Sequence, residues 1–583
     1  MIYPNRASLS ASNQRSRLVR IKIKNKNMKK TTNKTTGLLR SNARVTFLFF
    51  FKNTVLKKII ILCLLLFSYL AKAQVAEQDS LALVSLYTAT NGPNWTFNNF
   101  WLQPSMTVEL WIGVETRNGR VVNIELPYNN LVGEIPPEIG NLDSLSILDL
   151  SGNSIYSLDA AIGNLKTLDT LQLHGCPLSL LPPEIGGLSD LKYLNLEYCQ
   201  ISSFPDEIGN LAKLRYLYGA NGMLQSLPET IGNMSSVEVI RLELNDISNL
   251  PAGIGNCTAL KHLQLNANEI PAVPSEIGNL LNMETLILGG NNISELPDEM
   301  FDLTNLKVLN FAANDLDTIP ALIGQLTNLE NFQFFGNNFT YIPSEIGNCI
   351  YLNYINGYDN KIDSLPLSLL DLPMVETLFL AYNSLTFDDI EPLVSIWGFE
   401  YWLQDSIGQE TDTTVMLDSA FYMEVQTGGE FNKYQWKKDG EILEGEDNHY
   451  LNLIDITYAD SGSYNCEITN TLATGLTLQS RQVKLHVKKY TAVDESKINK
   501  LFTVSVSPNP VRNSFMVDLS KPGAGEYEIS IINSSGMILK SYSGINFPAK
   551  IDISDLSSGI YLIQIKDVGN GGGVGCMEKI VKW

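Results

Sequence analysis

One periodicity decides what this chain can fold into. The motif Leu-x-x-Leu-x-Leu-x-x-Asn-x-Leu, with other small or apolar residues standing in at some positions, recurs twelve times over residues 121–385. The first spacing is 24 residues and every later one is 23. In the copy at 260–270, Leu260, Leu263 and Leu265 point inward from a short strand. Asn268 then turns the chain, its amide satisfying backbone groups of neighbouring turns, and Ile270 re-enters the core. Pro274-Ser275-Glu276-Ile277-Gly278-Asn279-Leu280 completes the repeat as a short convex segment with core residues of its own. One such unit cannot bury its apolar face alone. The copies must stack, and stability becomes a sum over neighbours.

With its Ile-Gly-Asn-Leu convex segment, the repeat resembles the leucine-rich-repeat family, above all its plant-receptor and bacterial members. The likeness covers about 270 residues. It implies an α/β solenoid of about twelve 23-residue repeats, with a parallel sheet on the concave side, filling 121–400 together with a C-terminal cap. Residues 74–120 supply the N-terminal cap. An amphipathic helix is expected over 76–90, with Leu81, Leu83, Val84, Leu86 and Tyr87 on its apolar face. Trp95, Trp101 and Trp111 pack over the first repeat. Residues 387–397 read as a closing helix, its N-terminus capped by Asp388, Asp389 and Glu391. Gly219 and Gly357 replace a strand Leu and Gly222 replaces the turn Asn, so the fifth repeat is the expected soft spot.

Two all-β sandwiches follow. Residues 408–488 read as short strands separated by turn signals. Tyr434-Gln435-Trp436 and Asp460-Ser461-Gly462-Ser463-Tyr464-Asn465-Cys466 resemble strand C and the E–F corner of immunoglobulin-like domains. That resemblance makes Trp436 the core tryptophan and Tyr464 the corner tyrosine. Phe421-Tyr422-Met423-Glu424-Val425 brings no partner cysteine, so Cys466 is expected as an unpaired thiol in a spacer domain. After a linker at 489–502, residues 503–583 carry Ser507-Pro508-Asn509-Pro510, Ile531-Ile532-Asn533-Ser534-Ser535-Gly536 and Leu556-Ser557-Ser558-Gly559-Ile560-Tyr561. These closely resemble the C-terminal sorting domain of type IX secretion substrates of the Bacteroidetes. The resemblance implies outer-membrane secretion machinery as a partner, and a product that is released or attached to the outer cell surface.

The N-terminus agrees with export. Residues 1–73 hold sixteen Lys and Arg and no acid. Lys57-Lys58, the apolar run 59–70 and Ala71-Lys72-Ala73 form a signal peptide too short to span a bilayer. Met28 and Leu56 offer alternative starts. The rest of the chain has 26 basic and 62 acidic residues, a net −36, which speaks against nucleic acid as partner. Cys176 and Cys199 recur at one repeat position and are expected as thiols; Cys257 and Cys349 read as small buried apolar groups.

No catalytic or metal constellation emerges. His174, His262, His449 and His486 lack ligand spacing, and Gly571-Gly572-Gly573-Val574-Gly575 lacks a following P-loop Lys. No enzyme activity, cofactor or metal is expected, and no transmembrane helix in the mature chain. The concave face carries two aromatic groups instead. Tyr193, Tyr198, Tyr216 and Tyr218 come with Lys192, Arg215 and Arg241. Phe335, Tyr354, Tyr358, Phe379 and Tyr382 come with Asp359. Exposed tyrosine beside arginine is typical of binding surfaces. The expectation is an adhesin or receptor-like binder of protein or polysaccharide. The alternatives are a surface scaffold without a ligand, or a non-catalytic accessory to a secreted enzyme.

Overall fold

A repeat of constant length places equivalent residues side by side, and the computed structural model has that register throughout. It describes residues 75–489, 504–520, 526–533, 537–567 and 574–582. The signal peptide, linker residues 490–502 and Gly571-Gly572-Gly573 lie outside the described residues. Each of the twelve motifs contributes one strand to a parallel sheet in sequence order, from Arg120–Glu125 to Thr377–Phe379. The first two pair at a 24-residue offset and the later neighbours at 23, as in Tyr193 with Tyr216 and Asn195 with Tyr218. An antiparallel strand, Val114–Arg117, covers the first edge, and Phe399–Glu400 covers the last.

Two polar devices hold the turns. The first is an asparagine ladder. Asn268 Oδ1 accepts from the Ile247 N–H at 3.0 Å, and its Nδ2 donates to Leu242 and Leu265 carbonyls at 3.0 Å each. Cys176 and Cys199 take this place in their repeats, their thiols donating to the Leu150 and Leu173 carbonyls at 3.3 and 3.4 Å. Both are free and buried, and burial pushes the Cys199 thiol up to about 12. The second device is a left-handed residue just before each ladder position, with φ between 51° and 71° in all twelve repeats. Only four of these residues are glycine. Tyr198, Leu244 and Tyr382 hold the same conformation at a local steric cost of about 1–2 kcal/mol each. The N–H of each donates to the next repeat, as from Tyr198 to the Ala220 carbonyl at 2.9 Å, which extends the ladder beyond the strand.

The convex segments are five-residue 3-10 turns such as Ser275–Asn279, not α-helices. Their glycine answers a close approach: a Cβ on Gly278 would stand 2.5 Å from the Glu299 carbonyl oxygen of the next repeat.

The expected weakness of the glycine-substituted repeats divides into two cases. Around Gly219 and Gly222 a cavity of about 10 Å³ remains, lined by Leu196, Cys199, Phe204 and Leu224 among others. At Gly357 the Phe334 ring fills the space, 2.4 Å from where a Cβ would sit. Opposite signs follow. Gly219→Ala meets chiefly the movable Leu242 Cδ2 at 2.9 Å and is expected to stabilise by roughly 0.5–1 kcal/mol. Gly357→Ala is expected to destabilise by about 1–3 kcal/mol through overpacking. Chemical unfolding of both variants checks the pair.

The N-terminal cap helix spans Glu77–Ala89. Leu81 is exposed, contrary to expectation; Ala82, Leu83 and Leu86 are buried, with Asp79 on the same face. The i, i+3, i+4, i+7 set begins at a carboxylate, which a search for apolar residues passes over. Asp79 accepts from Arg120 Nη2 at 2.8 Å and from the Val121 N–H at 2.8 Å. Asp143 binds the same guanidinium at 2.5 Å, and the two carboxylates raise its pKa. Trp95, Trp101 and Trp111 are buried, as expected.

At the other end the closing helix is only Phe387–Ile390, followed by a 3-10 turn at Glu391–Leu393. Thr386 and Asp389 form its capping box. Glu391 does something else. Its carboxylate accepts from the Glu430 and Phe431 N–H groups at 3.1 and 3.2 Å and from Asn470 Nδ2 at 2.5 Å, which clasps the sandwich to the solenoid. Between them the chain makes an unforeseen thirteenth turn. Gln404 acts as a ladder residue, accepting from the Leu385 N–H at 3.0 Å and donating to the Leu380 and Tyr401 carbonyls. Leu403 before it is left-handed, with φ 57°.

The sandwich pairs Phe421–Glu424 with Tyr450–Leu453 and sets them against a sheet containing Asn432–Lys438 and Gly462–Asn470. Trp436, Tyr464 and Cys466 are buried, and Met423 is buried on the strand without a partner cysteine. The Tyr464 hydroxyl donates to the Asp460 carbonyl at 2.7 Å, the corner geometry expected of it. The last domain has a sheet of three strands and a sheet of four, with its own core around Phe515, Ile529 and Ile563. Its penultimate residue, Lys582, is buried and donates to the carbonyls of Ile553, Ser554 and Leu556.

Candidate functional site

Strand alternation points every second residue of the parallel sheet away from the leucine core. Two columns result on the concave face. One runs Thr170, Tyr193, Tyr216, Val239, His262; the other runs Gln172, Asn195, Tyr218, Arg241, Gln264. Tyr193, Tyr216 and Tyr218 therefore meet. Their centroids lie 5.3 Å (193–218), 6.2 Å (193–216) and 6.5 Å (216–218) apart, the last pair stacked at 16°. Arg215 sits 5.4 Å from the Tyr216 centroid and Arg241 sits 5.5 Å from that of Tyr218, within cation–π range. Burial raises the Tyr193 and Tyr218 phenols above their ordinary value. Both stay neutral donors at physiological pH.

The four remaining members of this group are placed differently. Lys192 pairs with Asp169 at 2.5 Å, and Arg215 pairs with Glu238 at 2.5 Å. Glu238 also meets Lys261, and Glu284 meets Lys307. These residues share one repeat position, so the sheet carries a row of mostly alternating charge along one rim. Lys192 and Arg215 are spoken for within the molecule, whereas among the described residues Arg241 has no carboxylate partner. Tyr198 is 62% exposed on its left-handed turn and makes no ring contact with the other three tyrosines among the described contacts. Glu243, two residues after Arg241, keeps one carboxylate oxygen buried without a partner among the described residues.

The second group forms around a residue the repeat pattern does not predict. Tyr358 lies 4.9 Å from Tyr382 and 6.3 Å from Phe379, and Trp402 from the thirteenth turn lies 6.0 and 6.3 Å from Tyr382 and Phe379. Trp402 Nε1 donates to Glu400 at 3.0 Å. Phe335 and Tyr354 are half-buried on the same face and stand outside these ring contacts. Asp359 occupies the left-handed turn position, exposed. The sequence signal for Trp402 was weak, because Phe399 to Gln404 lacks the leucine spacing.

Among the described residues no group of three or more His, Cys, Asp or Glu could hold a metal ion, and no helix is long and apolar enough to cross a membrane.

Residues 161–250 and 244–339 match the family model of a leucine-rich repeat region, and residues 505–581 match that of the secretion system C-terminal sorting domain. None of the curated proteins matches the chain. Among solved structures it is similar to a leucine-rich-repeat protein of Leptospira interrogans, at 29% identity over 49% of this chain and 76% of that one, with a TM-score of 0.41. It is also similar to the PEPR1–AtPEP1 crystal structure, at 24% identity over 58% of this chain and 49% of that one, with a TM-score of 0.51. That second likeness concerns the fold, and this chain spans about half of that protein's length. The central region is a leucine-rich-repeat solenoid. The last domain is a type IX secretion sorting domain, so the protein is secreted or attached to the outer cell surface.

Proposed function

We propose that this chain is an exported, non-catalytic binding protein, an adhesin or receptor-like module, which holds a protein or polysaccharide on the concave face of its solenoid. The observation that carries this reading is the Tyr193–Tyr216–Tyr218 cluster under Arg241. Three half-buried rings and a cation without a carboxylate partner among the described residues combine apolar area with polar tips, the composition of a binding hot spot. Tyr358, Phe379, Tyr382 and Trp402 offer a second platform. The sandwich, clasped by Glu391, serves as a spacer, and the last domain engages the outer-membrane secretion machinery.

A pull-down with the chain immobilised, challenged with extracellular-matrix proteins, polysaccharides and envelope extracts, tests the reading. The native protein is expected to retain a partner that the Tyr193→Ala, Tyr216→Ala, Tyr218→Ala triple variant loses, with affinity down at least about a hundredfold and thermal unfolding little changed. Equal retention by both forms would leave a scaffold without a concave-face ligand.

A further inference from the structure

The two aromatic platforms belong to one surface. Seven strand steps separate Tyr216 from Phe379, about 34 Å at the spacing of paired strands. What lies between is unlike either end. The columns there carry Gln264, Thr285, Asn310, Asn331 and Gln333 with Ile287 and Val308 among them, and Gly289 and Ala312 follow the strands. Apart from His262 no titratable side chain stands in the two columns between Arg241 and Tyr354. Along the nearby rim Glu238 pairs with Lys261 and Glu284 with Lys307, and Glu330 is the next rim charge. From Thr285 to Gln333 the two columns thus form an uncharged track of amides and aliphatic groups, with small residues beside its middle and flat aromatic rings at both ends.

We propose, building on the binding reading above, that this track holds a single linear, uncharged polysaccharide lying across the strands and stacked on both platforms. Amides both donate and accept, as sugar hydroxyls do. Flat rings suit the faces of sugar rings, and small residues let a bulky polymer lie close to the sheet. An acidic polymer would be repelled by a chain with 62 Asp and Glu against 42 Lys and Arg. An extended peptide that binds as a strand needs free backbone N–H and C=O groups, and those of the inner strands beneath the track are already paired within the sheet.

Two weak platforms joined by one ligand act together only when the ligand reaches both, so affinity must depend on length. The test is calorimetric titration of the whole chain with cellulose-, mannan- and xylan-derived oligosaccharides, from disaccharides to dodecasaccharides. At least one series is expected to tighten tenfold or more, roughly, between the tetrasaccharide and the dodecasaccharide. Trp402→Ala with Tyr382→Ala, or the triple tyrosine variant, should return the long oligosaccharide to the affinity of the short one. The length series needs no variant and so stands even if a variant misfolds. Affinity independent of length, or no binding across all three series, overturns the proposal. If a peptide is retained through Tyr193, Tyr216 and Tyr218 while the glycans fail, the polysaccharide falls and the binding reading survives. If nothing retained depends on either platform, both fall.

Discussion

Asp79→Ala is expected to lower the stability of the N-terminal cap by about 3–5 kcal/mol, the loss typical of breaking a buried ion pair from one side. Asp79 is fully buried and takes the Arg120 guanidinium through both Nε and Nη2, together with the Val121 N–H. Removing it strands a partly buried cation, left with Asp143 alone, and a buried donor at the start of the first repeat's strand. The effect should be local. In a solenoid each turn is stabilised by its neighbours, so amide exchange over residues 77–125 should accelerate first while the central repeats keep their protection. Uniform acceleration along the solenoid, or no change, would contradict this assignment of Asp79 as the bolt of the cap.

The second large effect is expected in the middle of the ladder. Asn291 accepts from the Ile270 N–H at 3.0 Å and donates to the Leu265 and Leu288 carbonyls at 3.0 and 2.8 Å. Asn291→Ala leaves the buried Ile270 N–H unpaired, at about 1–3 kcal/mol if it finds no water, and takes one of two amide donors from each carbonyl, since Leu265 keeps Asn268 and Leu288 keeps Asn314. A loss of about 1–3 kcal/mol is expected, most of it from that donor. Asn291→Cys should cost less, because Cys176 and Cys199 already occupy this position and their thiols reach the same kind of carbonyl. Denaturant unfolding should rank the native protein above Cys and Cys above Ala. Equal losses for the two variants would mean that the position is filled for packing and not for hydrogen bonding.

The repeat made most of this molecule legible in advance. Spacing alone gives twelve strands in register, the ladder and the leucine core, since a fixed period leaves no other way to bury every apolar face. The misses share a cause. Phasing the cap helix on its leucines puts Leu81 on the core face, whereas the phase is set by buried Asp79. Gln404 and Trp402 escaped because the thirteenth turn keeps the hydrogen-bonding logic of the repeat without its leucines. The ion pairs of Lys192 and Arg215 were readable by aligning the repeats on the first residue after each leading Leu, which brings Asp169, Lys192, Arg215, Glu238 and Lys261 into one column. The left-handed turn position was hidden by residues such as Tyr198, Leu244 and Tyr382, which rarely adopt that conformation and are held in it by the strand beyond.

The most direct test of a concave binding face is hydroxyl-radical footprinting of the protein with and without its retained partner. Oxidation of Tyr193, Tyr216 and Tyr218 is predicted to fall on binding, with Tyr351 and Met374, exposed away from the sheet columns, unaffected. Protection at Tyr351 and Met374 with the three tyrosines unchanged would place the partner elsewhere and contradict the account.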